Sequence, residues 1–238
     1  MDAFDPQAER SAIAGALMHP KRFFNPHDLL WGRDATSLTS EEDLPDWASS
    51  DWLRSAPTVV RREKVTDLDY IPVGLRGATR EQRHMTYLRR DRVVRWVTPE
   101  MLSQAAILDN ALRFGQFAAI DTLLKIARRL DALNLAWGPT GSVGFTLASG
   151  ILAMRPSSDL DLVVRAPEML DACTVKALCA MDSLASCRLD IQIDTGLGAF
   201  SIAEWAQGKR HVLLKTDSGP LLTRAPWGDG KRVTERPA

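Results

Sequence analysis

Carboxylates and apolar residues alternate in Asp159-Leu160-Asp161-Leu162-Val163-Val164, and polar residues recur at every second position of Arg188-Leu189-Asp190-Ile191-Gln192-Ile193-Asp194. A period of two predicts a half-buried strand in each segment, with Asp159 and Asp161 on one face of the first. Pro167 to Met181, between them, reads as a helix. Upstream, a short strand at Asn134 to Trp137 runs into Gly138-Pro139-Thr140-Gly141-Ser142-Val143-Gly144, and a helix is predicted to begin near Ser142. The resulting order is β-α-β-α-β. A helical Ser201 to Gln207, a strand at His211 to Lys215 and a short apolar run at Pro220 to Thr223 follow it.

Thr98-Pro99-Glu100 reads as an N-cap, a proline at the first helical position and an early acid, opening helical sequence with a break near Gly115. That marks a boundary. Before it, apolar runs separated by Pro and Gly predict strands at His27 to Trp31, Thr58 to Arg62 and Tyr70 to Leu75. The expected fold is α/β (α+β): a small mixed N-terminal domain over residues 1–97 and a β-α-β-α-β domain over residues 98–238.

The 238 residues are 45% hydrophobic and 25% charged, which supports a substantial core and excludes wholesale disorder. Lys plus Arg equals Asp plus Glu at 30 each, so no global field gathers nucleic acid or an anionic membrane. Gln116 to Leu135 leans apolar, but Asp121, Lys125, Arg128, Arg129 and Asp131 interrupt it too often for a bilayer span. The start, Met1-Asp2-Ala3-Phe4-Asp5-Pro6, lacks the basic residues and apolar core of a signal peptide. Cys173, Cys179 and Cys187 have no CxxC spacing and are expected to be buried, inert thiols of a cytoplasmic protein.

Candidate chemistry gathers where Gly141-Ser142 meets Asp159-x-Asp161 and Asp190. Two carboxylates one strand period apart, facing Asp190 as a third acid, make a cage of hard oxygen ligands, Asp159, Asp161 and Asp190, suited to Mg²⁺. The glycines let backbone approach phosphates, and the following helix N-terminus supplies amide donors. Three rival motifs each lack a residue. A Walker A loop needs Lys after its last glycine, which is absent; a hydrolase elbow needs glycine where Thr140 stands; and a dinucleotide fold needs GxGxxG, whereas Gly138, Gly141 and Gly144 are spaced by three. These residues reach as far as metal-dependent attack on a nucleotide-like polyphosphate.

The Gly-Ser turn with DxD resembles the DNA polymerase β-like nucleotidyltransferase superfamily. More specifically, the segments 137–145 and 158–162, Leu214-Lys215-Thr216, Ala225-Pro226-Trp227 and Pro72-Val73-Gly74-Leu75-Arg76-Gly77 are similar to the holo-acyl carrier protein synthases of malonate decarboxylase, which are phosphoribosyl-dephospho-CoA transferases. The resemblance spans nearly the whole chain. It implies transfer of phosphoribosyl-dephospho-CoA from triphosphoribosyl-dephospho-CoA to a serine on the acyl carrier subunit of malonate decarboxylase, with release of pyrophosphate. It further implies that Asp159 and Asp161, with Asp190 nearby, hold Mg²⁺, that Asp190 helps deprotonate the serine, and that the N-terminal domain docks carrier or substrate. Two alternatives stay open: a nucleotidyltransferase acting on another molecule, and a noncatalytic nucleotide-binding regulatory module.

From Arg76 to Arg95, seven arginines against Glu81 and Asp91 leave a local charge of +5. One reading is a solvated helix face packed through Met85, Tyr87 and Leu88. The other is a landing surface for an acidic carrier, centred on Arg89 and Arg90. Lys215, at a strand end, reads either as a phosphate contact or as a solvated end. His19, His27, His84 and His211 lack metal spacing and read as ordinary histidines, and Trp31, Trp47, Trp52 and Trp96 as packing anchors.

Overall fold

The computed structural model describes residues 24–40, 43–208 and 210–228; His19 and the opening Met1 to Pro6 lie outside them. Its first part is a six-stranded antiparallel sheet of β1 (Leu29–Gly32), β2 (Leu38–Thr39), β3 (Thr58–Val60), β4 (Tyr70–Arg76), β5 (Arg83–Arg89) and β6 (Val93–Val97), in the order β2-β5-β4-β3-β1-β6. A short helix, α1 (Ser50–Ser55), is capped by the Ser49 side chain, which accepts from the Trp52 amide. The basic run, one reading of which was a helix face, forms β5 and β6 instead. On β5 the buried face carries Thr86 and Leu88, while Arg83, Met85 and Tyr87 point the other way.

Thr98 caps α2 (Pro99–Leu102) by accepting from the Met101 amide, with Pro99 at the first helical position where no amide partner is lost. Next come α3 (Ala105–Ala111), a 3-10 turn ending at Gly115, and α4 (Ala118–Asp131). Helix α4 forms because Ile120, Leu123, Ile126, Ala127 and Leu130 recur at helical spacing and are all buried. Each fully buried Leu or Ile there contributes roughly 1.5 to 3 kcal/mol. Trp137 Nε1 donates to Asp131 Oδ1 at 2.9 Å, tying the end of α4 to the next strand.

The second sheet holds β7 (Ala136–Pro139), β8 (Leu160–Arg165), β9 (Leu189–Asp194), β10 (Ala199–Ser201), β11 (Val212–Thr216) and β12 (Gly219–Thr223), ordered β12-β11-β10-β9-β8-β7. Only β8 and β9 are parallel. Between strands lie α5 (Gly141–Ser149), α6 (Ala172–Ala180) and α7 (Ile202–Ala206). The α6 helix is shorter than its predicted span of Pro167 to Met181: it starts only where Asp171 accepts from the Thr174 amide. Leu160, Leu162, Val164, Ile191 and Ile193 pack in one core with α4, leaving the opposite, polar face of β8 and β9 toward the first sheet. Phe200, Trp205 and Trp227 close the far end of this core, and Trp227 Nε1 donates to the Ala166 carbonyl.

The cysteines depart from expectation. Cys173 is exposed and Cys179 and Cys187 are half-buried; all three are free thiols. Among the described residues no helix is long and apolar enough to cross a membrane.

Candidate active site

The turn from β7 into α5 is bound to β8 by its backbone: the Thr140 amide donates to the Asp161 carbonyl at 2.9 Å. Gly141 then adopts φ +58°, and a Cβ there would collide with the Asp161 carboxylate. Only glycine lets this carboxylate lie against the turn. Gly138 answers a second close approach, since a Cβ on it would strike the Pro99 carbonyl of α2. The Thr140 side chain makes no capping bond, so the first turn of α5 faces the cleft with its amides uncapped by that residue.

Asp161 and Asp190 are register partners on the parallel strands β8 and β9, which puts their side chains on the same face. Asp159 precedes β8 and lies close enough to act on Asp161 electrostatically. Burial, and then the charges of Asp159 and Asp190, push the Asp161 carboxyl up to about 6; Arg188 and Lys215 oppose the shift only in part. The three predicted acids are thus neighbours. Asp159 and Asp161 line one cleft of about 1430 Å³ together with Gly141 and Ser142. Asp190 does not line it, although its strand neighbours Arg188 and Gln192 do.

Asp194, the other acid on that face, is bound otherwise. Its Oδ2 pairs with Arg165 Nη1 at 2.6 Å and Arg62 Nη2 at 2.9 Å, and its Oδ1 accepts from the Gly196 amide. Burial opposes its ionisation, but that amide and the two guanidiniums outweigh it and hold the carboxyl below its usual value. Arg165 also pairs with Glu100 at 2.9 Å and donates to the Pro26 carbonyl, so one side chain joins the second sheet, α2 and the segment leading into β1.

The arginine run divides. Arg76, Arg80 and Arg83 line the cleft, joined by Arg61, Arg155 and Arg188. Arg89 and Arg90 are not among its lining: Arg89 pairs with Asp91 at 2.9 Å, and Arg90 donates to the Leu68 carbonyl and lies over Phe24. Lys215 is exposed on β11 and outside the lining, yet its charge reaches both Asp161 and His27. His27, read as ordinary, lines the cleft at φ 77°, a conformation unusual outside glycine. Burial, followed by Arg165 and Arg62, lowers its imidazole to about 4 and keeps it neutral at physiological pH. His84 also lines the cleft and meets Ser40 Oγ at 3.1 Å. No spacing in the sequence marks these histidines, because their neighbours in space lie far away along the chain.

Among the described residues no three His, Cys, Asp or Glu side chains are spaced to hold a metal ion unaided. The unit on offer is the pair Asp159 and Asp161, rather than a cage of three. That pair fits Mg²⁺, which commonly takes one or two carboxylates and completes its shell with phosphate oxygens and water. Burial first, and then the charges of Asp159 and Asp190, raise the Asp161 carboxyl, and a cation bound there would favour its ionised form.

Residues 25–99 match the family model described as the phosphoribosyl-dephospho-CoA transferase MdcG N-terminal domain, and residues 106–226 match the C-terminal domain of the same name. A protein of Pseudomonas putida (strain GB-1) named phosphoribosyl-dephospho-CoA transferase is 39% identical over 210 residues, covering 87% of this chain and 97% of that one. Relatives of the same name from Klebsiella pneumoniae (strain 342) and Azotobacter vinelandii (strain DJ) are 40% and 38% identical, over 85% and 88% of this chain and 95% and 98% of theirs. No solved structure matches the chain. With both halves matched in order and nearly the full length of each relative covered, the chain belongs to the phosphoribosyl-dephospho-CoA transferase family.

Proposed function

We propose that this protein transfers phosphoribosyl-dephospho-CoA from 2'-(5''-triphosphoribosyl)-3'-dephospho-CoA to a serine of the apo acyl carrier subunit of malonate decarboxylase, releasing pyrophosphate. The observation that carries the reading is the meeting of Asp159, Asp161 and the Gly141-Ser142 turn in one large cleft of a chain from this family. The serine oxygen attacks the phosphorus nearest the ribose, and the bond from that phosphorus to the bridging oxygen breaks. The two outer phosphates leave as pyrophosphate. Asp190, the register partner of Asp161 just beside the cleft lining, accepts the serine proton as general base through one bridging water. The Gly141 and Ser142 amides at the start of α5 orient the phosphates. Lys215 supplies positive charge toward the leaving group from β11.

Asp159 and Asp161 would hold Mg²⁺, which when bound neutralises phosphate charge and stabilises the departing pyrophosphate. Arg89 and Arg90, outside the cleft, form the landing surface for an acidic carrier. The free thiols Cys173, Cys179 and Cys187 suit a reducing compartment, and the reading assigns the reaction to the cytoplasm.

The test mixes purified protein, the triphosphoribosyl precursor and apo carrier, and follows pyrophosphate together with the carrier's mass. Stoichiometric pyrophosphate and a carrier heavier by one phosphoribosyl-dephospho-CoA group are expected. Pyrophosphate without carrier modification would point to a different acceptor, and no release would overturn the reading.

A further inference from the structure

Resting on the substrate class proposed above, we propose that Arg76, Arg80, Arg83 and Arg155 form a second, metal-independent phosphate site in the same cleft, which takes the diphosphate bridge between the pantetheine and adenosine parts of the substrate. Arg76 closes β4 and is the direct register partner of Arg83 on β5, so two like charges stand opposite one another across the strand pair. Such a pairing is unfavourable unless an anion lies between the two charges. Arg80 sits in the hairpin between them, where its carbonyl accepts from Arg83 Nε at 3.3 Å. Arg155 arrives from the other sheet, on the connection between α5 and β8, four residues before Asp159. All four line the cleft.

Among the described residues, no carboxylate lies within 4 Å of any of these guanidiniums, whereas Arg61 in the same cleft pairs with Glu63. Arg76 is fixed by donating to the Ala153 carbonyl at 2.9 Å and by packing 5.2 Å over the Phe145 ring. Burial, and then the charges of Arg83, Arg155 and Arg80, lower its guanidinium to about 10. The exposed Glu81 of the same hairpin acts on Arg80 and Arg155 only from beyond contact distance, so four converging cations keep a net positive charge in a concave site and form an anion receptor. The two ends of the cleft therefore differ in kind. The Asp159 and Asp161 end repels a bare phosphate and accepts one that brings a cation, whereas the arginine end accepts a phosphate without one.

The substrate proposed above has matching chemistry. It carries a triphosphate on the added ribose and, separately, a diphosphate on the adenosine ribose, so two anionic segments must be held at once. A triphosphate at the carboxylates leaves the diphosphate for the arginines. Ser157 and Ser158 line the span between Arg155 and Asp159 and offer hydroxyls along the way.

The experiment uses the full-length protein and two probes, each titrated calorimetrically: dephospho-CoA, which has the diphosphate bridge but no triphosphoribosyl group, and inorganic tripolyphosphate with Mg²⁺. Arg76 is left alone because it also anchors Ala153 and Phe145. In the double variant Arg80→Ala with Arg155→Ala, the Kd for dephospho-CoA should rise about 10- to 100-fold while that for Mg²⁺-tripolyphosphate stays within about 2-fold. Asp161→Asn should do the reverse. In the transfer assay the double variant should raise the KM of the precursor more than it lowers kcat. Unchanged dephospho-CoA affinity in the double variant, loss of tripolyphosphate binding instead, or a rise only in the carrier's KM would each overturn the arginine site. Wild-type protein that binds neither probe and releases no pyrophosphate would overturn the functional reading itself, a result separable from a double variant that merely behaves as wild type.

Discussion

Burial and the charges of Asp159 and Asp190 raise the Asp161 carboxyl to about 6, so its ionisation opposes folding. Below about pH 4 the group is protonated in folded and unfolded chains alike. As pH rises from about 4 to 6 the unfolded chain loses its proton first, and the folded state bears the full cost above that window. Asp161→Asn should therefore stabilise the ligand-free protein at pH 7.5 by about 1 to 3 kcal/mol, an advantage that fades toward pH 4, as read by urea unfolding. The same change should cut transfer at least ~100-fold. Near-normal turnover would remove Asp161 from the reacting groups. Asp190 and Asp194 separate by the opposite logic. The lowered Asp194 carboxyl contributes stability that is present above about pH 4 and lost as pH falls through its folded value. Asp194→Asn strands the Arg62 and Arg165 guanidiniums and should cost about 3 to 5 kcal/mol, whereas Asp190→Asn should leave the melting curve nearly in place and abolish transfer. Equal destabilisation by both would show that Asp190 is structural.

Among the elements, the β7 turn, β8 and β9 could be read from the sequence because their alternation is local and their glycines stand where the backbone needs them. Gly141→Ala tests that link. The positive φ alone costs roughly 1 to 2 kcal/mol, and the added methyl must also displace the Asp161 carboxylate. The expected result is a folded protein whose kcat falls about as far as in Asp161→Asn; retained kcat would mean that the carboxylate tolerates displacement. The strand β5 was harder to read. Met85, Tyr87 and Leu88 look like one apolar helix face, yet only Leu88 is buried, while Met85 and Tyr87 line the cleft with Arg83. Apolar residues lining a binding cleft are indistinguishable by type from core residues, so the pattern pointed to the wrong period. The strand β10 is three residues long, too short to show any period.

Across the molecule, the mutual placement of the two sheets was out of reach of any local pattern, because it rests on pairs such as Arg62 with Asp194, 132 residues apart, and Arg165 with Pro26, 139 apart. The same folding splits the arginine run between cleft and outer surface, and this carries a prediction at Arg89 and Arg90. Replacing both with Ala should raise the carrier's KM by about 5- to 30-fold and flatten its salt dependence, with precursor affinity unchanged. Weakened precursor binding would move these residues into the nucleotide site, and an unaltered carrier KM would end their role in docking. Arg165, finally, sits on β8 four residues beyond Asp161, about 13 Å along an extended strand. That strand behaves as a lever whose far end is riveted to Glu100, Asp194 and Pro26. Loosening the rivet should shift the opposing wall of the cleft without touching a reacting atom. A survey that scores variants by turnover alone would rank Arg165 among the chemical groups; a melting temperature recorded beside each rate would return it to the scaffold.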